Sequence, residues 1–228
     1  MKRTLFFVFA LSYACGFAQE SKELTKLKQQ SNAVVTMSNS TANPNFIRFE
    51  NAEGLQLKAM DAKGKVSEFL ATNFKAFNLN SEKDMVFVEE TTDNYGLKNV
   101  IYRQTFNGIP VYDGILKFHF NGKGQLSSLN GNTISAIKVN TVASISPSEA
   151  SAIAVNLVKN QNITTSKNQL ETAKNNLLIF PKNLVQGGQI TPYLAYEIEV
   201  TNKSDVREFL FIDAHTGELV EQFTGIHP

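Results

Sequence analysis

The chain has 228 residues, 42% of them hydrophobic and 19% charged, with a formal net charge of +1 at pH 7. That length can bury the core of one or two small domains, and the composition excludes a disordered chain. A near-neutral balance without a basic run argues against nucleic acid as a partner.

At the amino terminus, Lys2 and Arg3 precede an apolar run, Leu5 to Ala18, that is too short for a stable membrane span. This predicts a secretory signal peptide over residues 1–18. Gly16-Phe17-Ala18 sets small residues where a leader peptidase reads, which places cleavage between Ala18 and Gln19. Lipidation at Cys15 is the alternative, although Ser12-Tyr13-Ala14 lacks the leucine expected three positions before an acylated cysteine. Loss of the leader removes Lys2 and Arg3 from 22 basic side chains, leaving 20 against 21 acidic and a formal charge of −1. It also removes the single cysteine, so disulfides, a catalytic thiolate and thiolate metal sites are excluded from an exported form. The mature chain is expected to be secreted or extracytoplasmic, with no transmembrane span.

Residues 19–62 are polar and are predicted to be a loosely held lead-in, with a weak Val34-Val35 pair and a short strand at Phe46-Ile47-Arg48-Phe49. From Gly64-Lys65 onward, Val66, Phe69, Leu70, Phe74 and Phe77 recur at three- and four-residue spacing, which predicts a helix with one buried face. The period then shortens to two. MVFVEETTDNYGLKNVIYRQTF reads as two strands about an Asp93-Asn94-Tyr95-Gly96 turn. Two further strands follow, with turns at Asn107-Gly108-Ile109-Pro110 and Asn121-Gly122-Lys123-Gly124. Leu116, Phe118 and Phe120 take one face, with Ile115, Lys117 and His119 on the other.

A linker over residues 135–145 leads to a second unit, 146–228. Ser146-Pro147-Ser148-Glu149 combines a serine cap, proline at the first helical position and a glutamate able to reach back to the cap. After a polar connection from Asn160 to Asn176, the segments LLIFP, PYLAYEIEV, REFLFIDA and ELVEQF read as strands. The expectation is α+β: two consecutive units, each a helix packed on an antiparallel sheet.

Catalytic groups are scarce. His119 alternates outward on a strand, His215 falls in a turn and His227 stands beside the chain end, and no two histidines have ligand spacing. Neither H-E-x-x-H nor G-x-S-x-G occurs, and no glycine-rich phosphate loop opens a helix. Glu89-Glu90 and the Glu197/Glu199 pair sit on strands, where they read as an exposed sheet face rather than an acid–base pair. The residues therefore predict a non-catalytic protein.

Tyr102 to Gly114, with its Asn-Gly-Ile-Pro-Val core, resembles the signature of the fungalysin/thermolysin propeptide (FTP) domain. Phe118-His119-Phe120, the Asn-Gly-Lys-Gly turn and Leu129-Asn130-Gly131-Asn132 extend the likeness, which gives an FTP-like domain over residues 63–134. The second unit resembles a PepSY domain, with a cystatin-like helix and sheet, through its Ser-Pro-Ser-Glu-Ala helix, Leu194 to Ile198, and Phe211 to Leu219. The pair occurs in that order in pro-regions of secreted thermolysin-like zinc metalloproteases. The resemblance implies an inhibitor and intramolecular chaperone for such a protease domain, in cis or in trans. It places zinc and calcium only in that domain and no cofactor in this chain. It also makes Asn107, Gly108, Ile109, Pro110, Val111 and Tyr112 the candidate docking turn, projecting backbone groups for a partner to pair. Since the sequence stops at Pro228, a truncated precursor is the favoured account, and a free-standing inhibitor or binding module the alternative.

Overall fold

The strand-forming stretches assemble into two antiparallel sheets that share one long strand. A computed structural model describes residues 21–51, 54–161 and 168–225. The leader, Cys15, the Ala18/Gln19 junction and His227 lie outside them. The elements in order are α1 (Lys22–Ser31), β1 (Ala33–Met37), β2 (Pro44–Phe49), α2 (Ala62–Asn73), β3 (Met85–Thr92), β4 (Lys98–Phe106), β5 (Ile109–Phe120), β6 (Leu126–Gly131), α3 (Pro147–Asn160), β7 (Glu171–Lys182), β8 (Thr191–Thr201), β9 (Arg207–Asp213) and β10 (Leu219–Thr224). The first sheet runs β1-β2-β6-β5-β4-β3 and the second β7-β8-β9-β10. A single parallel pairing, Val111 with Ile179, joins them through β5 and β7. The architecture is α+β.

The segment expected to be a loose lead-in is folded. Ser21 accepts a hydrogen bond from the Leu24 N–H at 3.1 Å to start α1, and Leu24 and Leu27 are buried in the first core. β1 and β2 form a hairpin whose second strand pairs with β6, extending the sheet beyond the predicted meander. Polarity misleads here because the polar groups are satisfied inside. The buried Asn43 amide donates to the Thr133 carbonyl at 2.7 Å and accepts from Asn78 Nδ2 at 2.7 Å, while Thr133 Oγ1 donates to the Phe77 carbonyl at 3.0 Å.

The first core centres on Phe69 of α2. It meets Phe49, Phe77 and Phe118 edge-on, with ring centroids 6.0, 6.3 and 5.9 Å apart. α2 begins two residues before the predicted Gly64, capped by Asp61, whose carboxylate accepts from the Gly64 N–H at 2.6 Å. It ends at Asn73, and a 3-10 turn, Phe74–Phe77, carries the last two apolar residues of the periodic run. The predicted alternation along β5 holds, with Leu116, Phe118 and Phe120 buried, Lys117 exposed, and Ile115 and His119 half-buried on the outer face.

In the second unit the reciprocal Ser146–Glu149 cap forms as predicted, and its hydrogen bonds hold the Glu149 carboxyl below the ordinary glutamate range. Ala150, Ala154 and Val158 recur every four residues, giving α3 a narrow buried stripe. Small side chains let the helix lie close over Leu194, Ile198, Leu210 and Ile212 of the sheet. The connection predicted to run to Asn176 is shorter, because β7 starts at Glu171 and its polar first half pairs along β8. A strand edge can carry polar residues when only one side is buried.

Candidate functional site: the seam between the two units

The candidate docking turn lies where the sheets meet. Asn107 and Gly108 have φ of 50° and 81°, the paired positive values of a two-residue type I′ hairpin turn. They alone form the turn. Ile109 and Pro110, expected within it, are already in β5, paired with Phe106 and Thr105. Val111 is 2% exposed and pairs with Ile179, so its backbone edge, expected to be open to a partner, is engaged by β7 of the same chain. Phe106 and Ile109 pack on the core beneath α3, whereas Tyr112 turns to the opposite face of the second sheet. Its ring centroid lies 5.4 Å from Phe180 and 5.1 Å from Phe211.

A bulge makes this possible. Residues 111–114 fall between the pairs Thr105/Pro110 and Arg103/Ile115, so four residues of β5 oppose Gln104 alone. Asp113 adopts φ 56°, and a side chain at Gly114 would place its Cβ 2.9 Å from Gln104 Cβ. The extra residues reverse which face each β5 position takes. Odd-numbered Val111 is buried in the second unit and even-numbered Leu116 and Phe118 in the first. Gln104 seals the gap by imitating a neighbouring strand. Its Nε2 donates to the Ile134 carbonyl at 2.7 Å and its Oε1 accepts from the Ile134 N–H at 2.8 Å. Replacing Gln104 by Leu strands both Ile134 groups, each costing about 1–3 kcal/mol when buried without a partner. The expected result is a drop of about 3 kcal/mol in unfolding free energy by urea denaturation, and a loss below 1 kcal/mol would refute this role.

Two hollows flank Tyr112 and Asp113. The larger, about 700 Å³, has Arg103, Asp113, Lys174 and Glu197 on its walls with Leu177 and Leu178. The smaller, about 280 Å³, is formed by apolar groups of Phe180, Pro181, Leu184, Val185 and Phe223. Val185, 82% exposed, projects beside it. Burial first, then the negative charges of Glu197 and Asp113, pushes the Tyr112 phenol above its ordinary pKa. Lys174 meets Glu197 at 2.7 Å and Arg207 meets Glu199 at 2.7 Å, so these two carboxylates are answered by cations and are only 13% and 16% exposed at their side chains. They are half-buried rather than the open face expected.

The two described histidines and Glu90 are also engaged. His119 bridges Asn99 Oδ1 and Asn130 Oδ1, each at 2.6 Å, and His215 Nε2 lies 3.1 Å from the Asn140 carbonyl. Lys98 meets Glu90 at 2.6 Å. Among the described residues, no group of three or more His, Cys, Asp or Glu side chains is placed to hold a metal ion. The seam thus combines two concave surfaces, a strand edge and mixed charge.

Residues 83–133 match the family described as Fungalysin/Thermolysin Propeptide Motif, FTP, and residues 144–223 match that described as Peptidase propeptide and YPEB domain, PepSY. The chain carries an FTP motif followed by a PepSY domain. Val111 of the FTP motif and Ile179 of the PepSY domain thus form the pairing that joins the two. Over 95 residues the chain is 27% identical to Bacillolysin of Bacillus amyloliquefaciens, a match covering 40% of this chain and 18% of that protein. Among solved structures, the Bacillus megaterium YpeB C-terminal domain aligns over 84% of this chain and 76% of its own, with 14% identity and a TM-score of 0.39. Among the described residues no helix is long and apolar enough to cross a membrane.

Proposed function

We propose that the chain is the non-catalytic pro-region of a secreted thermolysin-like zinc metalloprotease, acting on its protease domain as inhibitor and as folding template. The observation that carries this is the succession of two domains, both of families described as peptidase propeptides, within one chain. An inhibitor of this kind needs no reacting group. It must occlude a cleft, which calls for a complementary surface rather than for a group that transfers a proton. Template action follows from the same affinity. A surface that binds the native protease domain but not the unfolded one stabilises the native state by mass action, with each tenfold excess over Kd adding about 1.4 kcal/mol. Zinc and calcium belong to that protease domain in this reading, and export follows from the leader at residues 1–18.

The test is to dilute a denatured thermolysin-like protease out of denaturant with and without residues 19–228, and then to assay peptide hydrolysis before and after destroying the added chain. We expect a higher refolded yield together with inhibition at micromolar concentration. Unchanged yield and unchanged hydrolysis would overturn the reading.

A further inference from the structure

We propose that the cleft of about 700 Å³ between β5 and β7 is a strand-docking site for an extended segment of a partner polypeptide in which apolar residues alternate with Asp or Glu. The reading of the chain as a pro-region enters only in assigning that segment to the protease domain. Three observations carry the inference. First, β7 pairs with β8 along its whole length, but among the described residues its other edge is paired only at Ile179. Residues 174–178 line the cleft, so a strand edge forms its floor. An unpaired edge is a template for an added strand, whose main-chain hydrogen bonds supply affinity.

Second, the cleft is bounded as a slot. The β5 hairpin tip closes one end where Val111 takes the β7 edge, and Pro110, Ile115, Leu177 and Leu178 give apolar walls. Alternate side chains of an added strand would meet these walls, which selects apolar residues at every second position.

Third, the charges in the slot are unequally committed. Lys174 is held by Glu197 at 2.7 Å, and Asp113 accepts from Asn132 Nδ2 at 2.8 Å. Arg103 is exposed and, among the described residues, has no ion-pair partner. Asp113, though without a cation, is held by that amide, so Arg103 is the charged side chain of the slot left with neither hydrogen-bond nor ion-pair partner among the described residues, and its open guanidinium donors call for a carboxylate. A guanidinium can take a carboxylate through two parallel N–H donors, which adds direction to the attraction.

A random 12-residue peptide library displayed on phage, selected on the chain comprising residues 19–228, tests this without any protease. Enriched peptides should alternate apolar residues with Asp or Glu. When one is synthesised and bound, it should slow amide exchange in residues 174–177. Arg103→Glu should weaken it about tenfold and Arg103→Gln less, while Arg48→Glu, on β2 and away from the cleft, should leave it unchanged. Failure to enrich any sequence, binding indifferent to Arg103→Glu in a variant with wild-type circular dichroism, or exchange slowed elsewhere would each overturn the site. The pro-region reading falls on a different result, the loss of protease inhibition.

Discussion

Replacing Gly131 by Ala is expected to lower the unfolding free energy by about 4 kcal/mol, a large share of the ~5–15 kcal/mol that holds a domain of this size together. Two causes act together. The residue sits at φ 139°, a conformation that side chains rarely adopt, and a Cβ there would lie 1.9 Å from the Ile115 carbonyl oxygen. That oxygen cannot easily retreat, because it accepts a hydrogen bond from the Asn132 N–H at 2.8 Å while Leu116 pairs with Gly131 itself. Relief requires opening the end of the β5–β6 ladder.

Gly108→Ala is the matched control. Its φ is 81°, yet nothing lies within 4 Å of the added methyl, so only backbone strain remains, about 1 kcal/mol. Urea midpoints followed by circular dichroism separate the cases. If Gly131→Ala unfolds no earlier than Gly108→Ala, the close approach of β5 and β6 is wrong. The consequence is broad, since the residues after Gly131 tie three regions together. Asn132 holds the bulged Asp113, Thr133 holds the β1–β2 hairpin through Asn43, and Ile134 holds Gln104.

This convergence marks where the sequence was legible and where it was not. Features encoded within a few residues could be read directly: the Asn107-Gly108 turn, the Ser146–Glu149 cap, and the alternation of Leu116, Phe118 and Phe120. Their causes are local backbone conformation and side-chain period, which neighbouring residues express. The folded lead-in was hidden because α1 offers only two buried leucines, and its decisive polar contact, Asn43 with Thr133, spans 90 residues. The seam was hidden for a related reason. A bulge that sets residues 111–114 against Gln104 reverses face parity along β5, and no regular period signals it.

The correction at the seam changes the site. Sequence reasoning found Asn107 to Tyr112 and expected their backbone to face a partner, but at Val111 it faces β7 of the same chain. The surplus of turn formers in this stretch serves to bend one strand across two sheets. What the bend leaves open is the slot beside Arg103 and the apolar hollow beside Tyr112.

Phe211→Ala is expected to be the other severe substitution, costing roughly 3–5 kcal/mol, the usual range for truncating a buried phenylalanine. The ring is 1% exposed, stacks on Phe180 at 4.1 Å and meets Phe223 edge-on at 5.9 Å. A third ring against it, Tyr112 at 5.1 Å, comes from the FTP motif, so this one ring is shared by both domains. A double-mutant cycle with Tyr112→Ala isolates that contact. Close aromatic pairs couple by about 0.5–1.5 kcal/mol beyond their buried area. We expect a coupling energy within that range from urea denaturation of the two single variants and the double variant. Additive losses would mean that the hairpin tip does not rest on the second sheet in solution. Coupling within the range means that the tip is already occupied by its own chain, so that the slot and the hollow are what the seam leaves open.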